Sequence, residues 1–262
     1  MPERVSYDTN LAMGLGLIPE TRRLLEIWRP SVTPAQLHQE ILSSGALSNL
    51  SAYRLRNIVV RCFGDRYLTN ADKPALYLKK LMSTLSSSEF SQLLFLYTCR
   101  ANPVLADFIR DVYWDTYSGG ARELARERAT EFVRRAVDDG MTPSRWAEGQ
   151  IERMGRYLTG ACADFGLLGA RTSSGRRLSS FRIEKTVVAY LAYELHNSGL
   201  GDNAVLSDND WRLFGLARSD VLDELKRVSY AGWFVVQAAA DVVRIGWKYP
   251  DMEAVCDVLA QG

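Results

Sequence analysis

Apolar residues recur every three or four positions along most of this chain, and helix-capping residues punctuate them, which points to a mainly helical fold. Pro19-Glu20 opens PETRRLLEIW, with Leu24, Leu25 and Trp28 on one face. Thr33 followed by Pro34 opens TPAQLHQEIL, whose stripe is Leu37, Ile41 and Leu42, and Gly45 is placed to end it. Ser51 is placed to cap SAYRLRNIVVRCFGDRYL, with a broad apolar face that includes Leu55, Ile58, Val59 and Phe63. Two helices over 33–44 and 52–68, joined by a short turn, make the skeleton of a helix-turn-helix.

The helical pattern continues over 73–85, 89–100, 103–117, 122–139 and, from Thr142-Pro143, as far as Phe165. The polar segment GARTSSGRR reads as a basic linker within 169–178. It divides the chain into an N-terminal helical domain, 1–168, and a C-terminal helical subdomain, 179–262. The subdomain reads as helices over 182–197 and 207–214, then a helix capped by Ser219 and ended by Gly232. Two β-like runs follow, 233–237 and 242–247, around the Ala-rich QAAAD, and a short helix over 252–259 closes the chain. This is the one strand pair the pattern supports. Helix, short helix, helix and hairpin is the order of a winged helix. A helical subdomain with a purely structural hairpin fits the same pattern, and alanine is a poor turn former, which counts against the hairpin.

Composition narrows the function. With 262 residues, 47% of them hydrophobic, the chain can bury a sizeable core. Its net charge of +1 confines any nucleic-acid surface to a local patch. Of 32 basic residues, 26 are Arg and 6 are Lys. The Arg fork suits phosphates and base edges, although a GC-rich genome produces the same bias. Cys62, Cys99, Cys162 and Cys256 form no CxxC pair, and His38 and His196 are far apart. No metal site or secreted disulfide framework is expected, and the cysteines read as buried small hydrophobes in a reducing cytoplasm. MPERVSYDTN lacks the apolar run of a signal peptide, and no stretch of about 18 apolar residues predicts a membrane span. Phosphate-loop, HExxH and GxSxG motifs are missing, so neither catalysis nor a cofactor is expected. Asp107 and Asp111, one helical turn apart, permit a metal-dependent nuclease as a distant enzymatic alternative.

Three groups of cations are the candidate contacts. Arg54, Arg56, Arg61 and Arg66 lie on the 52–68 helix, the first three of them not on one narrow α-helical face. Arg171, Arg176, Arg177, Arg182 and Lys185 share fifteen positions with a single acid, Glu184. Arg244 and Lys248, four apart, would project to one side of a strand. These cations suit phosphate contacts, and each also has a plain reading as a solvated surface cation.

The chain resembles the BrxA family of BREX (bacteriophage exclusion) phage-defence systems. The resemblance is carried by Leu17-Ile18-Pro19-Glu20-Thr21-Arg22, Ser51-Ala52-Tyr53-Arg54-Leu55-Arg56 and Arg66-Tyr67-Leu68. It continues through Leu105-Ala106-Asp107-Phe108, Asp164-Phe165-Gly166-Leu167-Leu168 and Gly232-Trp233-Phe234. It implies a helical cytoplasmic protein, similar in fold to a small helical RNA-binding antitermination factor, that binds double-stranded DNA and works with other BREX proteins. It carries no family active site. The competing expectation is an interaction scaffold anchored by Trp114, Trp211 and Trp233, with incidental nucleic-acid binding.

Overall fold

The computed structural model describes residues 6–239 and 242–261, and it is mainly helical with two small sheets. The chain divides into two compact units: Met1–Ala75 with Leu94–Phe181, and Leu76–Leu93 with Arg182–Gly262.

The first unit begins as its caps dictate. Helix Pro34–Ser44 opens on a reciprocal pair: the Gln36 N–H donates to the Thr33 hydroxyl (3.3 Å) and the Thr33 N–H to the Gln36 side chain (2.9 Å). Gly45 ends it at φ 65°. The Arg54 N–H donates to the Ser51 hydroxyl at 3.2 Å, and a helix then runs through 52–67. Its middle, Asn57–Gly64, is a π-helix. Leu55, Ile58, Val59, Phe63 and Tyr67 are buried, and so is Arg66. The Arg66 guanidinium donates to the carbonyls of Gly14 and Leu15, and that of Arg54 donates to Met13. Three consecutive carbonyls of the N-terminal segment are thereby held by two cations from one helix.

Elsewhere in this unit the pattern misplaced several boundaries. No helix starts at Thr142: its hydroxyl donates to the Ser144 carbonyl (2.8 Å), and the helix is Glu148–Asp164. The charged 122–139 stretch begins as a strand, β1 (Glu123–Ala125), before helix Arg126–Asp138. The segment read as a linker carries two strands, β2 (Leu168–Arg171) and β3 (Gly175–Leu178). A backbone that pairs needs no apolar pattern to become a strand. β3 lies between β1 and β2, antiparallel to both, so the C-terminal hairpin is not the one strand pair of the chain.

In the second unit, helix Lys185–Asn197 starts three residues later than the pattern placed it, and helices Asp202–Leu206 and Arg218–Ser229 follow. Ser219 is not the cap. The Ala217 N–H donates to the Asp220 carboxylate at 2.8 Å, which places Ser219 inside the first turn. Residues 73–85 hold a shorter helix, Lys73–Leu81.

The expected hairpin is present as β4 (Phe234–Ala239) and β5 (Val242–Trp247), paired from Phe234↔Trp247 to Ala239↔Val242. Ala238 and Ala239 of QAAAD extend the strand, and Ala240 and Asp241, expected in its turn, lie outside the described residues. Phe234, Val243 and Ile245 are buried. The Tyr193 hydroxyl donates to the Trp233 carbonyl and accepts the Lys248 N–H at 3.0 Å. Asp202 accepts the Ile245 N–H and the Trp247 indole N–H, both at 3.0 Å. Asp202→Ala removes both charge-assisted bonds and is expected to cost about 2 kcal/mol, read as a lower urea midpoint with unchanged slope.

All four cysteines are free and buried, and burial pushes the thiols of Cys62, Cys162 and Cys256 up. Among the described residues no helix is long and apolar enough to cross a membrane.

Candidate nucleic-acid interface

The small sheet of the first unit decides where its arginines point. Residues directly opposite in an antiparallel pair share a face, and neighbours along a strand alternate. Arg176 is opposite Leu124 on one side and Arg171 on the other, so these three share a face. Arg177 is opposite Glu123 on the other face. Hydrogen bonds from the Ser174 and Thr172 hydroxyls, with the charge of Arg177, hold the Glu123 carboxyl below its usual range. Arg176 and Arg177, expected to act together, are thus separated by strand alternation.

The Arg171–Arg176 face lines a cleft of about 330 Å³. Arg126, the first residue of its helix, and Arg156, from Glu148–Asp164, line it too, with Leu124, Thr159, Thr172 and Gly175. Four arginines therefore line one cleft, and no carboxylate lines it among the described residues. Arg176 donates to the Gly169 carbonyl at 3.1 Å, which fixes it against its own hairpin. Arg126, Arg156 and Arg171 are exposed. Thr172 and Gly175 close the turn: the Gly175 N–H donates to the Thr172 hydroxyl and the Thr172 N–H to the Gly175 carbonyl, both at 2.9 Å. At Gly175 no side chain fits, because a Cβ would overlap the Leu124 carbonyl oxygen and lie 2.9 Å from the Ala125 Cα.

An adjoining groove shares Arg126 and Arg156 but adds Glu127, Glu131, Glu148 and Glu152. There Arg134 is paired with Glu131 (3.0 Å) and with Glu148. Positive charge is thus concentrated in the first cleft and balanced in the second.

The other expected contacts lie elsewhere. On the 52–67 helix Arg54 is occupied by the Met13 carbonyl, while Arg56 and Arg61 are exposed. Five residues apart, these two would sit about 140° apart round an α-helix. The intervening π segment has more residues per turn and brings them closer to one line, beside the exposed Tyr53. Burial pushes the Asp65 carboxyl up, with the Arg61 charge opposing.

Arg182 and Lys185 belong to the second unit. Arg182 pairs with Glu224 at 3.1 Å, and Glu224 also holds Arg227. Lys185, exposed, begins its helix. Arg244 is exposed on β5, opposite Gln237. Lys248 lies one residue beyond β5, its ammonium 3.3 Å from the Gly232 carbonyl and 5.7 Å from the Tyr249 ring centre. Lys248 thus lies just past the strand on which it was expected, which ends at Trp247. Trp211 and Trp233, considered as scaffold anchors, are core residues, and Trp114 packs edge-on against Tyr113, Tyr117 and Phe181.

Arg126 and Arg156 are the residues that sequence reasoning missed. Nothing local marks them: each is one exposed cation on a charged helix. The pairing of β1 with β3 brings Arg126 to Arg176, and Arg156 comes from the helix that precedes β2 and packs on helix Arg126–Asp138.

Comparison with known proteins agrees with this architecture. A crystal structure of an uncharacterized protein from Magnetospirillum magneticum superposes with a TM-score of 0.60 at 19% identity, covering 81% of this chain and 98% of the other, which shows a shared fold. No curated protein matches. The BrxA family model matches residues 5–194, nearly three quarters of the chain and all four arginines of the cleft, and the chain therefore belongs to the BrxA family of BREX phage-defence systems.

Proposed function

We propose that this BREX component binds double-stranded DNA without catalysis, in the cytoplasm, alongside the other proteins of its system. One observation carries the reading: Arg126, Arg156, Arg171 and Arg176, from separate stretches of chain, converge on a cleft lined by no carboxylate among the described residues. Like charges gathered on a fold of net charge +1 repel one another, and an anion relieves that repulsion. Phosphate contact needs charge and donors more than exact geometry, and Arg supplies both. The helix-turn-helix-like stretch 33–68, with Arg56 and Arg61 exposed, offers a second set of contacts, and Lys185 and Arg244 a third.

The test is anisotropy titration, over a range of salt, of a duplex whose strands end in 5′-phosphates. Wild-type chain is expected to bind at low salt with an affinity that falls log-linearly as salt rises. Arg126→Gln with Arg171→Gln should weaken binding severalfold and lower the salt slope by about two, one per lost contact. No binding at low salt, or an unchanged slope in the folded double variant, overturns the reading.

A further inference from the structure

We infer that the Arg126–Arg156–Arg171–Arg176 cleft is selective for a compact, multiply charged phosphate, a phosphomonoester or a pyrophosphate-like group, over the diester backbone of continuous duplex. The inference rests on the reading of this cleft as a phosphate site and names what it selects.

Charge matching is the first argument. A backbone diester brings one negative charge, whereas a phosphomonoester brings about 1.5–2 near neutral pH and a polyphosphate more. Four guanidiniums facing one space of about 330 Å³ are better balanced by the latter. Arg126 also begins a thirteen-residue helix, so the positive end of that helix adds to the same field.

The second argument is the boundary of that field. The groove next to the cleft, past Arg126 and Arg156, presents Glu127, Glu131, Glu148 and Glu152, and its Arg134 is already paired to two of them. A diester chain continuing that way would run its phosphates past four carboxylates, whereas a ligand that ends in the cleft meets none. On the far face of β3, Arg177 sits beside Glu123 and adds no equivalent patch. The cleft therefore reads as a place where a phosphate chain stops.

Two sources share this chemistry, the phosphorylated end of a nucleic acid and a free nucleotide, and the test separates them. The full chain is titrated calorimetrically with sodium pyrophosphate and with a nucleoside triphosphate. By anisotropy it is titrated with a short duplex carrying 5′-phosphates, the same duplex with 5′-hydroxyls, and a covalently closed circular duplex as competitor. Pyrophosphate is expected to bind, and Arg156→Gln or Arg171→Gln to weaken it about tenfold, the loss of one charge-assisted contact. Arg177→Gln, on the opposite face, should leave it unchanged.

A preference of about tenfold for the 5′-phosphate duplex assigns the site to nucleic-acid ends. Equal duplex affinities with tight triphosphate binding assign it to a free nucleotide. Failure of pyrophosphate to bind, or an equal loss in Arg177→Gln, overturns the inference even if closed circular DNA binds well. Loss of closed-circle binding alone overturns only the broader DNA-binding reading.

Discussion

Replacing Arg66 with alanine is expected to unfold the first unit under conditions in which the wild-type chain is stable. The Arg66 side chain is buried, 4% exposed, and bonds the Gly14 and Leu15 carbonyls. Hydrogen bonds to a charged group contribute about 1.5–3 kcal/mol each, so two of them come to about 3–6 kcal/mol. Truncation also strands two carbonyls and opens a cavity beside Tyr67. Against a total stability of about 5–15 kcal/mol that is a large fraction. The measurement is urea denaturation followed by circular dichroism. Arg66→Lys should recover part of the loss, because an ammonium reaches one carbonyl better than two. A loss below about 1 kcal/mol in Arg66→Ala would show that water replaces the guanidinium without penalty.

The second large effect is expected at Gly175, on binding more than on folding. A valine there drives its side chain into the Leu124 carbonyl, and the backbone can yield only by parting β3 from β1. Overpacking costs about 1–3 kcal/mol, spent locally on a three-residue ladder. Arg176 is on that ladder and Arg171 is carried by β2, the hairpin partner of β3, so parting β3 from β1 should take both away from Arg126 and break up the cleft while the helices of the first unit persist. We expect helical circular dichroism within error of wild type and duplex affinity reduced tenfold or more, two lost charge-assisted contacts being enough. Gly175→Val with wild-type affinity would mean that the sheet does not organise the arginines.

The legible parts of this fold are those whose causes are local. Thr33, Pro34 and Gly45 bound their helix because a cap needs only its own few neighbours, and Phe234, Val243 and Ile245 announce a hairpin because β-branched and aromatic residues suit a half-buried strand. The 169–178 segment was illegible for the opposite reason. Its strands hold Gly, Arg and little apolar surface; β2 pairs with β3, and β3 pairs in turn with Glu123–Ala125, some fifty residues earlier. The candidate site was half-legible on the same ground. Arg171 and Arg176 stood out as a run, whereas Arg126 gains meaning from that long-range pairing and Arg156 from the packing of its helix on helix Arg126–Asp138 and β2. Arg54 and Arg66 show the converse error available to a charge count, since in both the cation serves the backbone rather than a ligand.

The interleaving of the two units has a consequence for synthesis on the ribosome. Residues 76–93 emerge early, but the unit they belong to is completed only by Arg182–Gly262. At about 5–20 residues per second, the intervening 94–181 stretch takes roughly 4–18 seconds to appear. During that interval Leu78, Leu81 and Phe90, all buried in the finished chain, wait without the partners that 182–262 supply. Ser88, Glu89 and Gln92 also wait, for Glu184, Thr186 and the Arg182 carbonyl. The nascent chain thus passes through a window in which its second unit is incomplete, and a polypeptide stopped at residue 181 would remain in it.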